Sequence, residues 1–222
     1  LFFYKKRYLM NKLALIFSMA LAFISTNTLA SGDAAKGKTK SATCIACHGV
    51  NGNSMVPIFP KLAGQGENYS LKQLKDFKSG MRQNGLMAGI AAGLSEQDMS
   101  DLSAYFSQQT ISQNVANKSA NIALGEKLYR GGDRERGIAA CMACHGPKGD
   151  GIPSAGFPAL ASQHAAYTAK QLKEFRQVSI NTQTDAKSPA RDNDDRKMMT
   201  VFTKDLNNIE IEALSQYIAG LN

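Results

Sequence analysis

The 222-residue sequence lacks the patterns on which several classes of protein depend. No segment alternates apolar and polar residues as a half-buried β-strand does, so a sheet protein is not predicted. Low-complexity stretches are also missing. The 43% hydrophobic and 20% charged content excludes a disordered chain and is typical of a globular one. The length suits one large or two small domains.

Clustered basic residues are missing from the part of the chain that we expect to fold. The formal net charge is +8, but the first thirty residues contain no acidic residue. Their four basic residues are Lys5, Lys6, Arg7 and Lys12. Without them, 22 basic and 18 acidic side chains remain, a net charge of +4. Nucleic-acid binding needs Lys and Arg clustered on one face, so the sequence does not support it.

The N-terminus has the layout of a secretory signal peptide. Basic residues precede an apolar run from Leu13 to Ile24, and the small residues Thr28 and Ala30 precede an expected cleavage after Ala30. A membrane anchor is the alternative, but the run is shorter than the about 20 residues that span a bilayer. Met10 is the expected start, with Leu1 to Leu9 an upstream extension. We therefore predict export to the periplasm.

Cysteine is scarce, and all four copies lie in one short motif that occurs twice. Residues 44–48 read Cys-Ile-Ala-Cys-His and residues 141–145 read Cys-Met-Ala-Cys-His. Export to an oxidising compartment would make two disulfides the first expectation. However, cysteines three residues apart on a helical turn point to the same side, so both thiols can reach one planar partner.

The sequence Cys-x-x-Cys-His is the attachment sequence of c-type haem. Each thiol adds to a vinyl group of the porphyrin, and the imidazole of the next residue can bind the iron. We predict six attachment and ligand residues for two covalently bound haem c groups: Cys44, Cys47 and His48 for the first, and Cys141, Cys144 and His145 for the second.

Two other uses of the cysteines fit the sequence less well. A thioredoxin-like redox pair needs a strand–turn–helix setting, which neither motif has. A zinc site would have to join cysteine pairs that lie 97 residues apart in separate repeats.

The repetition extends well beyond the two motifs. Further segments of the first half recur at equivalent positions in the second: Phe59–Ala63 with Phe157–Ala161, Gln65 with Gln163, and Lys72–Lys75 with Lys170–Lys173. Self-similarity over about a hundred residues predicts two copies of one folding unit in tandem.

Each copy is predicted to be all-α, with three to five short helices around one haem. Apolar residues recur at helical spacing after Ser95 and Asn207, and each of these has an acidic residue three positions later that can complete a cap. Middle helices are expected near residues 69–79 and 165–178. The predicted divisions are an extension plus signal peptide at 1–30, an N-terminal cytochrome c domain at 31–114, a linker at 115–121, and a C-terminal domain at 122–222.

Histidine is too scarce to supply the second axial ligand of both irons. Only His164 remains, and one residue cannot be a ligand of both irons. Its counterpart in the first half is Gly66. We expect His164 at the surface or beside a haem propionate.

Methionine, through its thioether sulfur, is the other common axial ligand. Met87 and Met199 each lie seven residues before equivalent leucines at the start of the last helix, and no other methionine shares this symmetry. We predict these two as the axial ligands opposite the histidines. Met81 and Met198 are the nearest alternatives.

A histidine ligand usually donates its other ring N–H to a carbonyl oxygen, which fixes its orientation. The backbone carbonyls of Pro60 and Pro158 are the candidates here, because proline has a fixed φ and suits a rigid loop. The alternative is that these are two ordinary loop prolines.

With its two Cys-x-x-Cys-His motifs, two Phe-Pro-x-Leu-Ala segments and the run at 163–172, the chain resembles the dihaem cytochrome c4 family over residues 31–222. The resemblance implies two class I cytochrome c domains related by a pseudo-twofold axis, with propionates near their interface and His/Met ligation in both. The chain departs from many family members in one feature, its short loop from Ser79 to Leu86.

The resemblance also implies a periplasmic electron carrier, sometimes membrane-associated, in a respiratory chain that ends in a terminal oxidase. Its expected partners are a quinol-oxidising complex upstream and the oxidase downstream, with no nucleic acid and no small-molecule substrate. One alternative is a haem subunit of a flavocytochrome-type sulfide dehydrogenase. Another is a dihaem peroxidase-type enzyme, against which the symmetrical methionines and the short chain argue.

Overall fold

A computed structural model describes residues 32–118, 120–184 and 190–222 of the chain. Within these ranges the regular structure is helical, apart from two isolated β-bridges that join Asp133 to Ile138 and Ile152 to Phe157. The predicted all-α class is confirmed. The predicted extension and signal peptide lie outside the described residues. None of the described helices combines the length and the apolar character needed to cross a membrane.

The N-terminal half, residues 32–107, contains five helices. They are α1 (Ala34–Lys40), α2 (Ala42–His48), α3 (Glu67–Ser79), α4 (Gly85–Ala92) and α5 (Glu96–Ser107). The middle and last helices of the prediction correspond to α3 and α5.

The C-terminal half, residues 122–222, repeats this order within its described residues. Its α-helices are α6 (Ile122–Gly131), α7 (Met142–His145), α8 (Ala165–Thr184), α9 (Met198–Thr203) and α10 (Asn208–Gly220). Two 3₁₀ turns, Pro153–Ala155 and Asp195–Lys197, lie between them.

Capping boxes begin the last helix of each half, as the sequence predicts. Asp98 N–H donates to the Ser95 hydroxyl, and Ser95 N–H donates back to the Asp98 carboxylate. Asn207 and Glu210 exchange the same two bonds at the start of α10. Each box satisfies two amide donors that a helix N-terminus leaves without partners.

In each half the first helix packs against the last, α1 against α5 and α6 against α10. One glycine in each first helix permits this close approach. A Cβ on Gly37 would lie 2.0 Å from the backbone oxygen of Asp101, and a Cβ on Gly125 would lie 2.2 Å from that of Ala213. The helix backbones therefore touch at points where only glycine fits.

Each half has its own apolar core. The first is small, with Leu102, Tyr105 and Phe106 as its buried members. The second is larger and is drawn mainly from α6, α8 and α10. A domain with so thin a core as the first gains stability from a large apolar group in its centre.

The halves meet through a buried polar network. Two arginines cross between them: Arg82 donates to Tyr167 in the other half at 3.0 Å, and Arg191 donates to Tyr69 at 2.9 Å. Each arginine also donates to the side-chain oxygens of the repeated glutamines Gln73 and Gln171. Buried polar groups with all partners in place fix one relative arrangement of the elements that carry them.

The segment between α5 and α6 has no helix in its described residues and is held by both halves. Lys61 of the N-terminal half donates through Nζ to the Asn114 side chain at 3.0 Å. Asn114 in turn donates to the backbone oxygen of Ser162 at 2.8 Å. The linker boundaries at 115 and 121 stay a prediction.

Candidate functional site

The two Cys-x-x-Cys-His motifs occupy equivalent short helices. Cys44, Cys47 and His48 lie on α2, and His48 is its last residue. In the second half Cys141 immediately precedes α7, and His145 ends it. A glycine follows each histidine, with φ of +80° at Gly49 and +78° at Gly146, and turns the chain sharply away from the helix.

All four cysteines are free thiols in this structure. Burial raises the pKa of the Cys44 thiol, and it raises the pKa of Cys141 to about 11. A reactive cysteine has a lowered pKa, so burial acts in the opposite direction on Cys44 and Cys141. Cys44 packs against the first core and Cys141 against the second, which places each beside an apolar interior.

The histidines are buried, oriented and neutral. His48 Nδ1 lies 2.8 Å from the Pro60 oxygen, and His145 Nδ1 lies 2.9 Å from the Pro158 oxygen. A carbonyl oxygen can only accept, so Nδ1 carries the proton and Nε2 keeps the lone pair that a metal needs. Burial lowers the pKa of both rings, which favours the neutral, ligating form. The predicted role of the two proline carbonyls is confirmed.

The loops that carry these prolines are held in the same way in both halves. The oxygen of Gly52 accepts from the amides of Leu62 at 2.7 Å and Ala63 at 3.2 Å. In the second half Gly149 accepts from the equivalent amides at 2.7 and 3.0 Å. The preceding phenylalanines meet their histidines edge-on, with ring centroids 6.4 and 6.5 Å apart. The duplication thus extends to the hydrogen bonds around each imidazole.

The two predicted axial methionines lie at the starts of equivalent helices. Met87 is the third residue of α4, and its amide donates to the Asn84 side chain at 3.0 Å. Met199 is the second residue of α9 and packs against the C-terminal core. Of the alternatives, Met81 is 63% exposed in the loop before α4, whereas Met198 is half-buried beside Met199.

His164 is an interface residue rather than a free surface one. Its Nε2 lies 2.9 Å from the backbone oxygen of Ser54 in the other half, and Nδ1 lies 3.4 Å from the Asn114 side-chain amide. The sequence led us to expect it at the surface or beside a haem propionate, and did not predict a contact with the other half.

Sequence reasoning also missed the side chains that join the two halves. Gln65 and Gln163 recur in the repeat, but repetition alone does not reveal what they contact. Arg82 and Arg191 follow their middle helices at different distances, so the repeat does not align them. A search for arginines after the middle helix would have returned Arg82 in the first half but both Arg191 and Arg196 in the second.

Each half offers what covalent haem attachment requires. Two thiols lie one helical turn apart, and an adjacent buried imidazole has Nε2 free of its carbonyl partner. Within the described ranges no cluster of three or more His, Cys, Asp or Glu side chains could hold a metal ion. Fold and site together define a c-type cytochrome with two haem-binding domains.

Comparisons with known proteins agree with this class. The family model described as Cytochrome c matches residues 34–110 and 122–222. Cytochrome c4 of Pseudomonas aeruginosa is 46% identical over 96% of this chain and 100% of its own length. The crystal structure of reduced recombinant cytochrome c4 from Pseudomonas stutzeri, also 46% identical, covers 86% of this chain and 100% of its own, with a TM-score of 0.79. The chain belongs to the dihaem cytochrome c4 family.

A further relative bears on partners. The thiosulfate dehydrogenase electron acceptor of Stutzerimonas stutzeri is 36% identical over 80% of this chain and 78% of its own length.

Family membership establishes two cytochrome c domains, two covalent haem c groups and a role in electron transfer rather than catalysis. The peroxidase alternative is therefore set aside.

Proposed function

We propose that the protein is a periplasmic electron carrier that accepts electrons from a quinol-oxidising complex and passes them to a terminal oxidase. The observation that carries this proposal is the pair of buried imidazoles, each fixed by a proline carbonyl in an equivalent loop. When bound, haem c supplies a one-electron ferric–ferrous couple. Export is supported by the signal-peptide pattern of residues 1–30, and peripheral membrane association is compatible with it.

The residues that would hold the two haem groups have distinct tasks. Cys44 and Cys47 would form thioethers in the first domain, and Cys141 and Cys144 would form them in the second. These bonds would keep the cofactor in place through every redox cycle. Burial raises the pKa of the Cys44 and Cys141 thiols and lowers the pKa of the His48 and His145 rings, so it favours the uncharged form of these four donors.

Axial ligation separates a carrier from an enzyme. His48 and His145 would bind the irons on one side, and Met87 and Met199 would close the other. An iron with both positions filled exchanges electrons without taking up oxygen or peroxide. A thioether opposite an imidazole also raises the reduction potential relative to two histidines, which suits a donor to an oxidase.

The rigid connection between the domains serves the same function. Arg82 and Arg191 each cross to the other half, where each donates to a half-buried tyrosine and a buried glutamine. Such a network holds the domains at one separation, so electron exchange between the two haem groups would not depend on domain motion.

Alanine substitution of the methionines tests this function. Met87→Ala and Met199→Ala should each convert one of the two irons to a form that is open on one side. That iron should bind carbon monoxide and lose the absorption band of methionine-bound ferric haem. Met81→Ala and Met198→Ala are the matched controls and should leave both bands unchanged. Loss of a band in a control instead of its neighbour would contradict the assignment.

A second candidate partner has a specific observation in its favour. A relative is named as the electron acceptor of thiosulfate dehydrogenase. The upstream donor of this protein would then be a thiosulfate-oxidising enzyme instead of a quinol-oxidising complex. This case is comparable to the alternative in which the protein is a haem subunit of a flavocytochrome-type sulfide dehydrogenase. Stopped-flow reduction by each purified donor separates them, because the physiological donor should reduce the carrier faster, with a rate that falls as salt rises.

A further inference from the structure

Two glutamines reach across the domain interface, and each forms hydrogen bonds with the backbone of the other domain. Gln65 Nε2 donates to the Ala159 oxygen at 3.0 Å, and its Oε1 accepts from the Ala159 amide at 2.9 Å. Gln163 makes the same pair of bonds to Lys61, at 3.0 and 2.9 Å. Each side chain therefore satisfies both backbone groups of one residue in the other domain.

The two residues whose backbone the glutamines bind, Ala159 and Lys61, directly follow the prolines whose carbonyls accept from the histidines. The Ala159 amide and the Pro158 carbonyl belong to one peptide group, and so do the Lys61 amide and the Pro60 carbonyl. Gln65 Oε1 thus binds one end of the peptide whose other end accepts from His145 Nδ1. Gln163 is placed identically with respect to His48.

A hydrogen bond at one end of a peptide group alters the other end. The C–N bond is resonant, so an acceptor at the N–H draws charge toward the carbonyl oxygen and makes that oxygen a stronger acceptor. The plane of the peptide is rigid as well, so fixing its N–H also fixes the direction of its C=O. Each glutamine therefore strengthens and aims the hydrogen bond of a histidine in the opposite domain.

The glutamine amides are themselves held firmly. The Gln65 oxygen also accepts from the Gly66 amide at 2.9 Å, and the Gln163 oxygen accepts from the His164 amide at 3.0 Å. Gln163 is buried, so its bonds are shielded from competing water. The side chains have one orientation, with the amide nitrogen toward the opposite carbonyl.

We propose that Gln65 and Gln163 are positioning residues that each tune the haem of the opposite domain through the peptide behind its histidine. The proposal rests on the assignment of His48 and His145 as iron ligands. A stronger Nδ1–H to carbonyl bond makes the imidazole more basic and stabilises the ferric state. Loss of the glutamine should therefore raise the reduction potential of the haem in the other domain.

The crossed pattern distinguishes tuning from simple cohesion of the interface. A merely structural bond predicts lower stability but gives no reason for one particular haem to respond. Tuning predicts that Gln65, in the N-terminal domain, affects the C-terminal haem. It predicts that Gln163, in the C-terminal domain, affects the N-terminal haem.

The test measures both potentials in the intact two-haem protein. Gln65→Leu and Gln163→Leu keep most of the side-chain volume and remove the amide. Gln109→Leu is the matched control, because its amide donates to Tyr105 of its own domain at 2.8 Å. A redox titration followed by NMR of the haem methyl groups, assigned to each domain, reports the two potentials separately. Amide hydrogen exchange of Ala159 and Lys61 reports the loss of each bond.

In Gln65→Leu the Ala159 amide should exchange faster, and the C-terminal potential should rise more than the N-terminal one. Gln163→Leu should do the reverse through Lys61, and Gln109→Leu should change neither. If a leucine variant fails to fold, Gln65→Asn or Gln163→Asn keeps a polar side chain that is one methylene too short for both bonds.

Equal shifts at both haem groups, a shift mainly in the domain of the mutated residue, or faster exchange without any shift would overturn the proposal. Spectra of the parent protein keep this failure separate from failure of the proposed function. If the parent shows two low-spin, histidine-bound irons, uncrossed shifts overturn the tuning role alone. If it does not, the ligand assignment is wrong and the tuning role is overturned with it.

Discussion

Asp98 shows how one carboxylate stabilises the N-terminal domain at the scale of a residue. Its ion pair and hydrogen bond with Lys40, followed by its bonds to Ser95, lower its pKa to about 2. Because this value lies below that of the unfolded chain, Asp98 stabilises the fold above about pH 4. That stabilisation is lost as the pH falls toward 2.

The variant Asp98→Asn should therefore be less stable than the parent at neutral pH. The difference between the two should shrink from about pH 4 downward and vanish only below about pH 2, where Asp98 is protonated in the folded protein as well. Denaturant unfolding across this pH range, followed by circular dichroism, measures it. A difference that stayed constant with pH would mean that the charge of Asp98 is not the cause.

Much of the candidate site could be predicted at the residue scale. The motif itself indicates the thiols and histidines. The prolines of the two repeated Phe-Pro-x-Leu-Ala segments, 12 residues after His48 and 13 after His145, indicate the acceptors that the structure then shows. The crossed partners Gln65 and Gln163 could not be predicted. Which peptide lies within their reach depends on how two domains dock, and no periodicity or motif in the chain encodes that contact.

At the scale of an element, the close crossing of α6 over α10 depends on Gly125. Gly125→Ala would place a methyl group 2.2 Å from the Ala213 oxygen, so the two helices would have to separate. We expect the free energy of unfolding to fall by about 1–3 kcal/mol, the usual cost of overpacking. Equilibrium denaturation with guanidinium chloride measures this change.

Gly131→Ala is the control for that substitution. Gly131 ends the same helix, and a Cβ there would have no atom within 4 Å. This substitution should change the free energy of unfolding by no more than about 1 kcal/mol, because only the helix propensity of the residue changes. Equal losses at the two glycines would show that the helix crossing is not what requires Gly125.

The predicted helices were those with one apolar face. α3, α5, α8 and α10 all appear near their predicted positions. α4 was not placed, because its sequence Gly-Leu-Met-Ala-Gly-Ile-Ala-Ala is apolar on every side and has no helical period. α8 continues to Thr184, beyond the predicted 178, through polar residues whose side chains bond within the helix, such as Thr182 to the Val178 oxygen.

At the scale of the whole molecule, Arg191 is the centre of the contact between domains. It donates to three side chains besides Asn193, two of them in the N-terminal domain, and its guanidinium lies 4.5 Å from the centre of the Phe175 ring. Arg191→Met keeps a long side chain but leaves buried oxygens without their donors. We expect a loss of about 2–4 kcal/mol in the free energy of unfolding.

Arg130→Met is the matched control, since Arg130 is exposed and its partners, the exposed Glu126 and the ring of Tyr217, lie in its own domain. Calorimetry should show a clear fall in melting temperature for Arg191→Met and little change for Arg130→Met. In Arg191→Met the two domains should also unfold less cooperatively. A single unshifted transition would contradict the role given to the network.

The duplication into two domains was visible in the sequence, because motif, loop and helix recur in the same order. Their docking was not. The arginines that join them lie in loops of unequal length, and Asn114, which directly precedes the predicted linker, is bound by Lys61 and Ser162. Polar contacts between domains leave no apolar period, which is the main signal that sequence reasoning can use.

Electron transfer by this protein depends most on two covalent haem groups whose irons have a protein ligand on both sides. A potentiometric titration of the purified mature protein, followed by visible spectroscopy, tests this directly. We predict two one-electron steps, low-spin iron throughout and the ferric band of methionine ligation in both domains. A single haem, or high-spin iron that takes up carbon monoxide without losing a ligand, would contradict it.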